Sequence, residues 1–156
     1  MKSKSKKKMN FALGILIFIL GVAATLMLFL PGLVNGDTDS VYTGSQVVFG
    51  TQIYEGALGT TQIEPSVMGI IAYLLPAVAG LLALIIKDKT AAVLSGVMFI
   101  AAAVMLFLIS TSTVTTVTFL GSTNTYDTTW TMSGGLISAA VISIFGGIVS
   151  LYKAAI

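Results

Sequence analysis

The charged side chains of this 156-residue chain are eight lysines and six carboxylates, and it contains no His, Arg or Cys. That leaves little chemistry open. Without Cys there is no disulfide, thiolate nucleophile or sulfur metal site. Without His the usual general base and commonest metal ligand are gone, and without Arg the bidentate binder of phosphate and carboxylate is gone too. Asp37-Thr38-Asp39-Ser40 starts like a calcium loop. The pattern fails at once, because Val41 falls where a ligand belongs and no Glu closes the loop at the required distance. It reads instead as an acidic turn where the first apolar run ends. Glu55, Glu64 and Asp127 are the candidates for a hydrolytic carboxylate pair, but they sit on Thr-rich segments with no sign of a cleft. Lys2, Lys4, Lys6, Lys7 and Lys8, interleaved with Ser3 and Ser5, attract anionic lipid at roughly 1 kcal/mol per lysine near a bilayer. Phosphorylation of those serines would weaken the attraction. So short a run, without Arg or aromatics, does not fit nucleic acid. No catalytic residue, cofactor site, metal ligand or small-molecule substrate follows, and the expectation is a protein that is not an enzyme.

The elements that carry these residues are membrane spans. Apolar residues make up 56% of the chain and charged ones 9%, with a mean hydropathy of +0.99. A soluble domain of this size carries roughly a quarter charged residues, so lipid must be the solvent for much of the surface. The length suits one compact domain. The lysines precede the first apolar run (Lys2 to Lys8), separate the second from the third (Lys87, Lys89) and follow the fourth (Lys153). Asp37, Asp39, Glu55, Glu64 and Asp127 lie at the opposite ends, and Asp88 alone shares the lysine side. This is the positive-inside pattern of a chain crossing a bilayer four times. It predicts an all-α membrane bundle in the plasma membrane, with N and C termini cytoplasmic.

The expected layout is a basic tail over 1–10, spans over 11–33, 66–86, 91–110 and 133–152, outer loops over 34–65 and 111–132, a cytoplasmic turn at 87–90 and a cytoplasmic end at 153–156. Pro31-Gly32 closes the first span, Pro65 fits the first turn of the second, and Thr90 suits the N-cap of the third. Cleavage of residues 1–36 as a signal peptide is the competing reading of the first span. The apolar run exceeds the usual h-region of roughly 7–15 residues, which favours a retained helix. Basic residues that are all lysine suit a bacterium with an AT-rich genome.

Small residues mark the faces on which helices meet. Gly135, Ala139, Ser143 and Gly147 recur every fourth position in the last span, beside Gly134, Ser138, Gly146 and Ser150. Such stripes let backbones approach when lipid removes the hydrophobic drive. Either packing within the bundle or a homo-oligomer seam would use them. Ala92, Ser95, Gly96 and Ala103 form a thinner stripe in the third span, and Gly14 and Gly21 stand one heptad apart in the first. Pro76 should kink the second span. The spans carry no Asp, Glu, Lys, Arg, His, Asn or Gln, which argues against proton relays, charged-substrate transport or a pore through a single copy.

The outer loops read as strands. Residues 41–49, 51–54 and 60–63 are β-prone in the first loop, and 113–120 and 125–132 form a hairpin about a 121–124 turn in the second. Tyr126, Thr128, Trp130 and Met132 alternate onto one face. An isolated hairpin is marginal in water, so the two loops are expected to pair into one small antiparallel sheet, with Trp130 anchored at the headgroups. An uncovered edge strand would then be open to a neighbour. The order of elements resembles the claudin-like tetraspan layout of four helices, a larger first and a smaller second outer β segment. The likeness covers the whole chain but rests on no motif. The Trp-Gly-Leu-Trp block and the Cys pair of claudins are absent, and the sole Trp is Trp130. The layout implies a structural, scaffold or adhesion role, self-associating or joined to another membrane or surface protein. The outer contact residues expected are Val47, Phe49, Ile53, Tyr54, Val117, Phe119, Tyr126 and Trp130. A small oligomeric channel, a holin-like or permeability protein, or an accessory subunit of a transporter or secretion complex is the alternative.

Overall fold

The computed structural model of the chain describes residues 2–156; Met1 lies outside the described residues. Among the described residues four helices are long and apolar enough to cross a membrane. They are α1 (Lys2–Leu26), extended by a 3-10 turn over Met27–Phe29, then α3 (Val67–Ile85), α4 (Lys89–Ser112) and α5 (Gly134–Ala155). A short α2 (Gly44–Phe49) lies between the first two. The long helices contact one another in the cyclic order α1, α3, α4, α5 and back to α1. Ile19, Val78, Val97, Phe145 and Ile148 are exposed around them, the outward apolar belt of a membrane-embedded protein.

Glycines and serines fix the helix contacts. A Cβ on Gly21 would overlap the Pro76 carbonyl, and one on Gly80 would lie 2.9 Å from Phe18 Cα. The α1–α3 pair therefore meets backbone to backbone, with Pro76 buried in the contact. Gly96 and Gly147 face each other between α4 and α5, where a Cβ on either would lie 3.4 Å from the other's carbonyl oxygen and closer still to the Leu151 or Ile100 side chain. Ser95 Oγ donates to the Ala79 carbonyl at 2.8 Å and shares a 2.9 Å hydrogen bond with Ser150 Oγ, tying α3, α4 and α5 together. Thr25 Oγ1 donates to the Tyr73 carbonyl at 2.7 Å, one residue beyond the Ala72 carbonyl that Pro76 deprives of its amide. Gly135, Ala139, Ser143 and Gly147 are all buried. The stripe is consumed inside the chain and offers no surface for an oligomer seam.

Several helix ends differ from the sequence expectation. The lysine tail is helical, because Lys is a good helix former and α1 simply continues through it. Residues 31–33 leave the first span to begin a strand. Pro65 precedes the helix, whose N-cap is Ser66, its hydroxyl accepting from the Gly69 amide at 3.0 Å. The N-cap of α4 is Asp88 rather than Thr90.

At the end of the bundle away from the lysines, seven strands among the described residues form two antiparallel sheets instead of the single sheet expected. The first has the order β2–β1–β7, from β1 (Pro31–Asn35), β2 (Val41–Thr43) and β7 (Trp130–Met132). The second has the order β3–β4–β5–β6, from β3 (Thr51–Gly56), β4 (Gly59–Ile63), β5 (Thr115–Phe119) and β6 (Ser122–Tyr126). Each sheet takes strands from both loops. The largest core cluster lies where they meet the helices, around Leu33, Val47, Val48, Ile63, Tyr73, Leu106, Ile109 and Leu136.

Candidate contact surface on the four-stranded sheet

The loop between α1 and α3 departs from the β reading at Thr43. Residues 44–49 form α2, opened by a capping box in which Thr43 Oγ1 accepts from the Gln46 amide and Gln46 Oε1 accepts from the Thr43 amide. Val47 and Val48 turn into the core from this helix. Val47, at 1% exposed, is thus a packing residue and not an outer contact. Trp130 is likewise no outer contact. It is 8% exposed, sits edge-to-face with Tyr42 at a centroid distance of 5.7 Å, and packs in the main core rather than at a lipid surface. Strand β7 crosses to pair with β1, which draws Trp130 away from Tyr126 on β6.

The acidic turn at Asp37 and Asp39 links β1 to β2 instead of ending a helix. Asn35 Oδ1 accepts from the Asp37 amide at 2.8 Å, and Asp39 adopts φ 55°. Among the described residues no three His, Cys, Asp or Glu side chains gather. Glu55 stands near the β3–β4 turn, while Glu64 lies beyond the other end of that hairpin. Glu64 Oε1 accepts from Thr116 Oγ1 at 2.6 Å and Gln62 Nε2 at 2.8 Å. Those two donors, Thr116 first, hold its carboxyl below the usual carboxylate range. Glu64 thereby ties one loop to the other.

The β5–β6 turn is Leu120-Gly121, with φ 49° and 83°, a two-residue turn with both positions left-handed. It falls earlier than the 121–124 turn expected and sets the register. Thr115 faces Tyr126, Val117 faces Asn124 and Phe119 faces Ser122. Across β4, Thr61 joins Val117 to Tyr54, and Ile53 is the extra residue of a bulge in β3. Strand alternation then gives the sheet two unlike faces. One carries Gln62, Thr60, Thr116, Thr118, Thr123 and Thr125. The other runs outward from the buried Ile63 and Thr115 to Val117, Phe119 and Tyr54.

That second face holds an open groove of 420 Å³ between Tyr54, Leu58, Val117 and Phe119. The Tyr54 ring folds over Gly56, where a Cβ would lie 2.9 Å from ring carbon Cε1. Tyr54 is 64% and Phe119 53% exposed. Four of the expected contact residues, Tyr54, Val117, Phe119 and Tyr126, thus share one face. Phe49 is exposed at the end of α2, and Ile53 is half-buried against the core. Comparisons with family models, curated proteins and solved structures give no match. The groove was not foreseeable as a unit, because it depends on which strands of the two loops become neighbours.

Proposed function

We propose that the chain is a non-enzymatic multi-pass membrane protein of the plasma membrane with a structural, scaffold or adhesion role. In this reading it adopts a claudin-like tetraspan arrangement, both termini cytoplasmic and both sheets outside, and associates with a second copy of itself. The observation that carries the proposal is the apolar sheet face. It continues the core outward through the half-buried Val117 and leaves Tyr54 and Phe119 exposed around a groove.

The edges of the sheet favour a copy of the chain as the occupant. The bulge at Ile53 blunts the β3 edge. The β6 edge, Ser122-Thr123-Asn124-Thr125-Tyr126, is exposed throughout and carries neither charge nor proline. An antiparallel pairing of β6 with its own copy brings no like charges face to face. The interior of the bundle is filled by Ile17, Tyr73, Phe99 and Leu106, which supports a contact role over a pore through one copy.

Mass photometry of the protein in mild detergent or nanodiscs tests this. The wild type should populate dimers or larger assemblies. The double substitution Tyr54→Ser and Phe119→Ser should release monomers with the same helix content, since neither side chain supports the core. A wild type that stays monomeric across concentration would refute self-association. Ion flux from liposomes at low protein density would favour the channel reading instead.

A further inference from the structure

The lysines at the opposite end of the bundle do more than mark topology. A cavity of 440 Å³ opens there between α1, α3 and α5, lined by Lys7, Asn10, Phe11, Gly14, Leu84, Lys87 and Lys153. Its volume falls within the range of small-molecule sites, roughly 300–1,000 Å³. Lys7, Asn10, Phe11 and Gly14 recur on one face of α1 at helical spacing. Lys87 follows the end of α3, and Lys153 comes from the last turn of α5. Three lysines from separate parts of the chain line it, and no carboxylate is among the lining residues. Asp88 and Lys89 on the adjoining turn are exposed.

Lys153 gives the cavity a floor. In the sequence it only marks the end of the fourth span, yet it is 6% exposed and donates to the Ala83 carbonyl. That carbonyl lies in the last turn of α3, where helix carbonyls lack amide partners and the dipole favours a cation. Gly14 leaves the room for this contact, since a Cβ there would lie 3.2 Å from the Ala83 oxygen and 3.4 Å from Lys153 Nζ. One hydrogen bond uses one of the three ammonium donors. Asn10 Oδ1 is buried with no hydrogen-bond partner among the described residues. Lys4, Lys6 and Lys8 stand exposed and outside the lining.

We propose that this cavity is a discrete site for the phosphate-bearing headgroup of an anionic phospholipid. The proposal rests on the membrane reading above. The phosphate meets the ammonium groups of Lys7, Lys87 and Lys153, a headgroup hydroxyl donates to Asn10 Oδ1, and Phe11 and Leu84 receive the start of the acyl chains. Basic pockets between membrane helices bind lipid headgroups by this chemistry. A free phosphate compound offers the same charge without the chains, so the test separates the two.

Native mass spectrometry of the full chain, with dioleoyl phosphatidylglycerol and dioleoyl phosphatidylcholine at equal concentration, reads the site directly. One phosphatidylglycerol per chain should be retained at least tenfold over phosphatidylcholine. The double substitution Lys7→Gln and Lys87→Gln, at two exposed positions that do not support the fold, should abolish that preference. Substituting Lys4, Lys6 and Lys8 by Gln should leave it intact. Equal retention of both lipids, or equal loss in the two variants, would overturn the proposal. Displacement of the lipid by millimolar inorganic phosphate would overturn the lipid assignment in favour of a soluble phosphate compound. Flotation with phosphatidylcholine vesicles at carbonate pH tests membrane embedding separately. A chain that floats without anionic selectivity loses the site but keeps the membrane reading.

Discussion

Glu64 and Lys153 show how a charged residue in an apolar protein takes its role from its neighbours. The carboxylate of Glu64 accepts from Thr116 and Gln62, and these donors favour its ionised form. A carboxylate whose folded-state pKa is depressed adds stability above its unfolded pKa and loses it as pH falls through the folded value. The unperturbed value here is 4.5. The link between β4 and β5 should therefore weaken as solutions are acidified from pH 5 toward pH 3. Thermal unfolding in detergent should show a falling midpoint over that window. The fall should be smaller in Glu64→Gln, which cannot ionise. Lys153 has the opposite history. At the sequence level it is one more inside marker, whereas in the fold it caps α3 from α5.

At the scale of the element, the helices were legible because four uncharged apolar runs of membrane-spanning length admit little else. The glycine spacings were legible too, and the seam they build makes a sharp prediction. Gly21→Leu forces a side chain into the Pro76 backbone and should cost about 1–3 kcal/mol or more. Ile19→Leu, on the exposed face two residues away, should stay within about 0.5 kcal/mol. Thermal unfolding of the two variants side by side checks both. The strands were less legible. The run at Val47-Val48-Phe49 is β-prone, but the Thr43 capping box and the buried side of α2 outweigh that propensity. The β5–β6 turn places Leu120 at a positive φ, a position where Leu gives no sequence signal. The groove was hidden for a third reason. Tyr54 and Val117 are 63 positions apart, and only the β4–β5 pairing makes them neighbours.

For the whole molecule, the two ends of the bundle divide the work. One gathers lysines around a cavity, and the other holds two sheets that each borrow strands from both loops. Neither loop is a separable module. Replacing residues 115–126 with a flexible Gly-Ser linker should leave the helices in place. It should strip β4 of its β5 neighbour, so that protease cleaves within residues 51–63 in the variant and not in the wild type. Equal resistance in both would mean that the β3–β4 hairpin stands without support.

The strand order also sets a schedule. β1 is made early and β7 nearly a hundred residues later, yet β1 is the central strand and β7 completes its sheet. During synthesis β1 and β4 each lack one neighbouring strand until residues 115–132 have been made. Until then each of these strands presents an unpaired edge, the feature that invites pairing with other chains. A chain that stalls before residue 115 should therefore aggregate more readily than one that carries all of these strands.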